Sequence, residues 1–276
     1  MNQSGKLFLI IRTKTLYIIQ IRSLGSIPVD CASSALILIL VTFCCCCCCS
    51  SDGMKTKKGG DSWVEFISWE PRAFICHNFL SEKECLQLIN LAKPRMGKSL
   101  VFDSKTRKGV KSSSRTSSGM FLDRGQNKLV RTIEKRIADF TFIPVENGEG
   151  MSILHYEVGQ KFDAHHDYFV DEFSIKKGGQ RMATLLIYLS DVEEGGETVF
   201  PAAKQCVSSA RWWKKLSESG NGGLSVKPKM GDALLFWSMK PDGTLDSTSL
   251  HGSSPVIKGE KWACAKLMRV KEYKSG

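Results

Sequence analysis

The residues best suited to chemistry are two histidines and an aspartate in the segment QKFDAHHDYF. His165, His166 and Asp167 are consecutive, and the chain contains only five histidines. On a β-strand, residues two apart point to the same side, so we expect His165 and Asp167 to share one face while His166 points away. With a second, distant histidine, such a pair forms a two-histidine, one-carboxylate triad, which leaves three positions open on iron(II) for a co-substrate and dioxygen.

The third ligand is expected far along the chain, where a late strand can lie beside an early one. His251 is the candidate, since it follows the hydrophobic stretch 233–238 and a mixed loop. Ten residues later comes Lys261, and a buried, inward-pointing lysine would pair with the distal carboxylate of a dicarboxylic co-substrate. An isolated histidine is more often a core or surface residue, so His77 and His155 receive no role. The conjunction of His-x-Asp, a late histidine and this lysine carries the prediction.

The sequence beyond Gly150 is typical of short β-strands separated by Gly, Pro and Asp. The predicted strands are 151–157, 182–190, 224–227, 233–238 and 262–270. No helices intervene of the kind that a parallel α/β sheet requires. The predicted fold class is therefore mostly β with flanking helices, arranged as a jelly roll, or double-stranded β-helix.

Two helices are predicted before this region. Ser81, followed three residues later by a glutamate, forms a capping box, and the helix it begins ends before Pro94. Apolar residues at helical spacing predict a second helix from Asn127 to just before Pro144. The stretch 103–118 is rich in Ser, Lys and Gly and is expected to be a mobile loop.

The charge of the chain does not indicate a nucleic-acid partner. Its 39 Lys and Arg exceed its 28 Asp and Glu, giving a net charge of +11. The densest basic stretch, 105–115, is interleaved with Ser and Gly rather than with the aromatic residues of a base-stacking surface. We interpret it as a solvated loop.

Six of the eleven cysteines form one run, 44–49, at the end of nineteen uncharged residues, 31–49. This length is enough to cross about 30 Å of hydrocarbon as a helix. A transmembrane anchor is the main interpretation, and a cleaved signal peptide or a low-complexity tract are the alternatives. The scattered cysteines lack zinc-site spacing, and whether one or two disulfides form stays open.

These features predict four segments along the chain. Residues 1–30 are a basic N-terminal segment, 31–49 the transmembrane anchor, 50–60 a stalk and 61–276 the catalytic domain. The flanking charges favour a cytosolic amino terminus and a lumenal catalytic domain.

From Trp69 to Val270 the sequence resembles the prolyl 4-hydroxylase family, particularly its plant branch. The stretches that carry the resemblance are SWEPR (68–72), RTSSG (115–119), RIAD (136–139), GQRM (179–182), YLSD (188–191), GGET (195–198) and KMGD (229–232).

The resemblance implies a role for each matching residue. It implies that His165, Asp167 and His251 bind iron(II), and that Lys261 and Tyr156 bind 2-oxoglutarate. It further implies that the peptide groove contains Arg115, Ser117, Glu149 and Arg181, and that the 103–118 loop closes over the substrate. No catalytic residue is expected beyond the metal and co-substrate ligands, and ascorbate is expected to rescue oxidised iron.

The sequence departs from the family pattern around the site rather than at the ligands. Phe162 stands where the family commonly has tyrosine, and Leu267 and Arg269 replace an aromatic residue and a histidine. Arg269 is expected to add a permanent charge near the groove. Ser219 and Ser254 stand where plant relatives have cysteines, a joint loss that is expected if those cysteines form a disulfide.

The function that the resemblance implies is 4-hydroxylation of proline in proline-rich secretory or cell-wall proteins of the extensin-like or arabinogalactan type. A monomer in the endoplasmic reticulum or Golgi membrane, of single-pass type II topology, is expected. The alternative is a metal-containing peptide-binding module that has lost turnover through the changes at Phe162, Leu267 and Arg269. A metal-dependent isomerase or lyase on a similar barrel would not explain Lys261.

Overall fold

A computed structural model describes residues 8–12, 15–19, 62–103, 108–204 and 223–274. The chain divides into two compact units, Met1–Gly53 and Met54–Gly276. In the first unit Phe8–Arg12 (β1) and Thr15–Ile19 (β2) pair as an antiparallel hairpin.

The anchor predicted at 31–49 and the stalk predicted at 50–60 lie outside the described residues. Within the described ranges, no helix has both the length and the apolar character needed to cross a bilayer.

The second unit is built mainly from strands. In chain order they are Trp63–Trp69 (β3), Arg72–His77 (β4), Gly97–Lys98 (β5), Val101–Asp103 (β6), Lys108–Val110 (β7), Ser118–Leu122 (β8), Gly148–Tyr156 (β9), Phe162–His165 (β10), Arg181–Tyr188 (β11), Glu194–Gly195 (β12), Thr198–Phe200 (β13), Leu224–Val226 (β14), Ala233–Trp237 (β15), His251–Ser253 (β16), Val256–Lys258 (β17) and Lys261–Arg269 (β18). Its α-helices are Glu82–Ala92 (α1), Lys128–Thr141 (α2) and Glu172–Ile175 (α3). Short 3₁₀ helices occupy Lys93–Arg95, Val145–Asn147 and Ser247–Ser249.

The strands form one large and one small antiparallel sheet. The large sheet has the order β3-β4-β15-β11-β18-β9-β8-β5, and the small sheet has the order β10-β16-β13-β14. Two further strand pairs, β6-β7 and β12-β17, lie outside these sheets. This mostly β arrangement agrees with the predicted fold class, and each of the five predicted strands is present within a few residues of its expected bounds.

Two of the three apolar clusters of the described residues lie between layers of secondary structure. In one core, Leu88 of α1 and Ile133 of α2 pack with large-sheet residues such as Leu185. In the other, Phe236 of the large sheet packs with Phe200 of the small sheet. The helices thus cover the outer face of the large sheet, and the small sheet covers its inner face.

Both predicted helices are confirmed, and their caps explain where they begin. The Ser81 hydroxyl accepts a hydrogen bond from the Glu84 backbone N–H, and the Glu84 carboxylate accepts one from the Ser81 backbone N–H. The Asn127 side chain accepts from the Val130 N–H at the start of α2. Helix α2 ends at Thr141, because the next residue, Phe142, has a left-handed φ of 58° and cannot continue a right-handed helix.

The prediction of a loop over 103–118 is wrong in part. Strand β7 lies inside this stretch and pairs with β6, with Val101 opposite Val110. Each of these strands has only three residues, which is too short for two-residue alternation to be recognised in the sequence. The Ser, Lys and Gly content of the stretch therefore led to the prediction of a loop. Residues 104–107 lie outside the described residues.

Candidate active site

His165, Asp167 and His251 form one compact cluster. The Asp167 carboxylate oxygens lie 3.6 Å from His165 Nε2 and 3.5 Å from His251 Nε2. One ligand atom from each residue can be chosen so that all three lie within 4.8 Å of one another. Opposed Cα positions on the neighbouring strands β10 and β16 bring the two histidines together.

Both histidines present the nitrogen that a metal needs. His165 Nδ1 lies 2.9 Å from the Asp163 carbonyl oxygen, and His251 Nδ1 lies 2.9 Å from the Ser249 carbonyl oxygen. Because a carbonyl only accepts, Nδ1 must donate, which leaves the Nε2 lone pair of each neutral ring pointing at the cluster. Burial lowers the pKa of His251 to about 4, so this ring is neutral at pH 7.

Asp167 does not lie on a strand, contrary to the expectation from two-residue alternation. Strand β10 ends at His165, and Asp167 lies in the bend that follows. The bend still turns His166 away, toward the Ser247 carbonyl oxygen at 3.2 Å. Thr184 of β11 fixes the carboxylate by donating its hydroxyl to Asp167 Oδ2 at 2.6 Å. Burial raises the pKa of Asp167, but the imidazoles and Arg181 outweigh it, so the pKa lies below its usual value.

Aromatic rings enclose the cluster. Phe162 stacks on His165 with a centroid distance of 3.7 Å, and Phe236 lies 4.5 Å from His251. Gly252 permits the close approach of β16 to β10, since a Cβ there would lie 2.8 Å from the Phe162 carbonyl oxygen. The aromatic side chains shield the histidines from water on these sides.

Lys261 is buried at the start of β18, with only 2% of its surface exposed. Its Nζ donates to the Gly196 carbonyl oxygen at 2.7 Å and to Ser253 Oγ at 2.8 Å. It forms no ion pair with a carboxylate of the described residues, although Glu197 is near enough to act on its charge. Burial lowers the pKa of Lys261 to about 7, against the opposing effect of Glu197. A buried amine with these properties is suited to bind an anionic group of a ligand.

Tyr156 lies directly opposite Lys261 on the neighbouring strand β9. Its ring is 5.3 Å from Lys261 Nζ, and burial raises the pKa of its phenol, partly offset by Arg115 and by a hydrogen bond with Ser117. The buried Ser117 hydroxyl also donates to Ser99 Oγ at 3.0 Å. Tyr156 therefore borders both the lysine and the segment that carries Ser117.

Glu149 and Arg181 pair with each other near Asp167. Arg181 donates through Nε and Nη2 to the two Glu149 oxygens at 2.8 and 2.9 Å, and through Nη1 to the Asp167 carbonyl oxygen at 3.3 Å. Arg269 lies against the predicted groove residue Glu149, so it adds a charge near the groove as expected, and that charge is paired with a carboxylate. Arg269 is only 5% exposed and donates to Glu149 Oε1 at 2.8 Å. The two residues are 120 positions apart in the chain, and the pairing of β9 with β18 brings them together.

Arg115 is connected to the cluster through Phe162. Its guanidinium carbon lies 4.6 Å from the Phe162 ring centroid, and that ring stacks on His165. The two residues also form a backbone β-bridge. Among the other predicted site residues, Tyr156 contacts Lys261 directly and Arg181 contacts Asp167 directly. Glu149 is linked to the cluster through Arg181, Arg115 through Phe162, and Ser117 is linked to Lys261 through Tyr156.

Sequence reasoning missed the residues that hold these groups in place. Thr184 faces Asp167, and its neighbour across the sheet is Leu267, which stands on the inner face of β18. Gly196 and Ser253 hold Lys261. Strand alternation in 182–190 could have found Thr184, whereas the contacts of Gly196 and Ser253 depend on pairing between distant segments.

The donor set fits iron(II). Two imidazole nitrogens and one carboxylate are the ligands of the facial triad, and each is oriented by a second hydrogen bond. Lys261, with no carboxylate partner among the described residues, fits the distal carboxylate of 2-oxoglutarate.

Comparisons with known proteins agree with this geometry. The sequence model of the 2OG-Fe(II) oxygenase superfamily matches residues 151–269. Among relatives from Arabidopsis thaliana, probable prolyl 4-hydroxylase 3 is 66% identical over 217 residues, covering 79% of this chain and 76% of that protein. Prolyl 4-hydroxylase 5 is 61% identical over 215 residues, covering 78% and 74%.

A solved structure is similar as well. The 2OG complex of viral collagen prolyl hydroxylase from Paramecium bursaria Chlorella virus-1 is 28% identical, with a TM-score of 0.52, covering 71% of this chain and 94% of that chain. The likeness shows that the two sheets form an oxygenase jelly roll.

Proposed function

The chain belongs to the plant prolyl 4-hydroxylase family, and on that premise we propose that it hydroxylates proline within peptides at C4. It uses iron(II), 2-oxoglutarate and dioxygen, and it releases succinate and carbon dioxide. Two features that this reaction requires together carry the proposal. They are the histidine and aspartate cluster and the buried Lys261, which donates to Ser253 on the strand that begins with His251.

His165, Asp167 and His251 would hold the iron, and Lys261 and Tyr156 would hold 2-oxoglutarate. When bound, the iron centre supplies the oxidising power that inserts one oxygen atom into a C–H bond as 2-oxoglutarate is decarboxylated. The protein's residues position the metal ligands and the co-substrate and keep water out of the site. Lys261 neutralises the distal carboxylate, Thr184 orients Asp167, and the aromatic rings exclude water.

Arg115, Ser117, Glu149 and Arg181 would contact the peptide. Arg181 and Glu149 are paired with each other, so their contribution is a fixed polar wall beside Asp167 rather than two free charges. Arg115 keeps a buried Nε donor that has no partner among the described residues.

The test is to supply the full chain with iron(II), 2-oxoglutarate, ascorbate and a proline-rich peptide, and to measure peptide mass and succinate. We expect a gain of one oxygen atom per peptide with an equal amount of succinate, and neither with His165→Ala. Release of succinate without hydroxylation of the peptide would indicate that the tested peptide is not the substrate. Iron binding without either product would favour the non-catalytic peptide-binding module.

The substrates that we infer are proline-rich secretory or cell-wall proteins of the extensin-like or arabinogalactan type, as family membership supports. We infer ascorbate as the reductant that keeps iron active, and a monomeric chain. Equilibrium sedimentation of the full chain in detergent tests the last point, since a dimer would double the mass.

We infer a single-pass type II protein of the endoplasmic reticulum or Golgi with a lumenal catalytic domain. The support is the uncharged span 31–49, preceded by the basic segment 1–30 and followed by the stalk 50–60. In intact microsomes, protease should spare residues 61–276 and should digest them after detergent is added. Digestion before detergent would contradict the topology.

A further inference from the structure

A cavity of about 270 Å³ lies next to the candidate active site. Its lining includes Lys98, Lys111 and Arg115, and its other residues are serines and a threonine between Ser99 and Ser117. No acidic residue belongs to the described lining. We call Lys98, Lys111 and Arg115 the basic subsite.

Arg115 has donors without acceptors. Its Nε is buried and has no hydrogen-bond partner among the described residues, and its Nη1 reaches only the Leu100 carbonyl oxygen at 3.3 Å. It pairs with no carboxylate of the described part of the chain. An unsatisfied buried N–H is costly, and a guanidinium matches a carboxylate with two parallel hydrogen bonds. The missing acceptor is therefore expected to be an anionic group.

The position of the basic subsite relative to the metal ligands limits where that anion can come from. The Arg115 guanidinium is 4.6 Å from the Phe162 ring, which stacks 3.7 Å from His165. An extended peptide advances about 3.3 Å per residue. A peptide whose target proline lies at the iron would therefore pass Arg115 two or three residues away.

Resting on the proposed function, we propose that the basic subsite binds the side-chain carboxylate of an acidic residue two or three positions from the target proline. Lys98 and Lys111, which are exposed, attract the carboxylate, and Arg115 pairs with it. The hydroxyls of the lining supply further donors. Peptides that carry such a residue are the preferred substrates.

The test compares peptides that contain one proline and differ only by Glu or Gln at positions two and three on either side of it. Their carboxyl termini are amidated, so that a terminal carboxylate cannot occupy the subsite. In the full chain we expect kcat/KM to be about tenfold higher for the Glu peptide at one of these positions, as one charge-assisted pair provides. A Gln peptide with a free carboxyl terminus shows whether a terminal carboxylate can bind the basic subsite in place of a Glu side chain.

Variants of the chain test whether the basic subsite causes the preference for Glu peptides. Lys98→Gln with Lys111→Gln should reduce the ratio of kcat/KM between Glu and Gln peptides several-fold. Lys135→Gln, which removes an exposed lysine of α2, should leave the ratio unchanged. Equal kcat/KM for Glu and Gln peptides at all positions would overturn the basic subsite and leave the proposed function intact. Failure to hydroxylate any peptide would remove both.

Discussion

A single side chain, Lys261, is expected to make co-substrate binding depend on pH. Burial lowers its pKa to about 7, although Glu197 acts against this effect. Only the protonated amine attracts a carboxylate, so above pH 7 the protein must take up a proton to bind 2-oxoglutarate. We predict that the affinity of the metal-loaded chain for 2-oxoglutarate falls by up to about tenfold per pH unit between pH 7.5 and 9. Calorimetric titration across this range measures it.

Lys261→Arg is the control for this prediction, because a guanidinium stays charged throughout the range. The variant should bind 2-oxoglutarate more weakly, since the Gly196 and Ser253 acceptors are placed for an amine, but its affinity should depend little on pH. A flat profile for the unmodified chain would show that Lys261 does not supply the charge.

At the scale of elements, a buried ion pair joins helix α2 to strand β18. Lys266 Nζ lies 2.6 Å from Glu134 Oε1, and each side chain is 2% exposed. Glu134 also accepts from the Gly125 N–H at 2.9 Å. We predict that Glu134→Gln lowers the free energy of unfolding by about 3 to 5 kcal/mol, because Lys266 is left as an uncompensated buried charge. Urea denaturation measures this change.

The same helix offers a matched control. Asp139 pairs with Lys135 at 2.9 Å, but both side chains are more than half exposed. Asp139→Asn should therefore cost no more than about 0.5 kcal/mol. The double variant Glu134→Gln with Lys266→Met should recover part of the lost stability. Equal effects of Glu134→Gln and Asp139→Asn would contradict the importance of burial.

Arg269 joins β18 to the segment that follows Asp167. Besides Glu149, it donates to the carbonyl oxygens of Ser174 at 2.9 Å and Gly179 at 3.1 Å. We predict that Arg269→His, which cannot reach all three acceptors, lowers the free energy of unfolding by about 1 to 3 kcal/mol. Amide hydrogen exchange in 168–180 should become faster.

Arg131→His, at an exposed position of α2, is the control and should change stability by less than about 0.5 kcal/mol. Unchanged exchange in 168–180 for Arg269→His would show that this arginine does not hold the segment.

The sequence predicts what depends on neighbouring residues and misses what depends on distant ones. The caps at Ser81 and Asn127 are local, and both helices begin where they are expected. By contrast, Arg269 is neutralised by Glu149 and Lys266 by Glu134, across 120 and 132 residues. The pairing of β9 with β18 brings Arg269 to Glu149, and the packing of α2 on the large sheet brings Glu134 to Lys266. Neither arrangement can be read from neighbouring residues, so nothing in the sequence indicates that Arg269 and Lys266 are buried.

At the scale of the whole molecule, the site exists only when the two sheets are assembled. His165 and His251 lie in the small sheet, whereas Lys261 and Tyr156 lie in the large sheet. The His-x-Asp spacing identified His165 and Asp167 as ligands in the sequence. It did not predict that β10 ends at His165 and that Asp167 lies in the bend after it. Ligands that contact both sheets are expected to stabilise the folded state, since they bind it and not the unfolded chain.

The most direct test of this assembled site is to titrate the full chain anaerobically with iron(II), and then with 2-oxoglutarate. We predict that His251→Ala weakens iron binding at least about tenfold. Lys261→Met should bind iron as the unmodified chain does, but should bind 2-oxoglutarate at least about tenfold more weakly. Wild-type affinity of Lys261→Met for 2-oxoglutarate, or of His251→Ala for iron, would contradict the account.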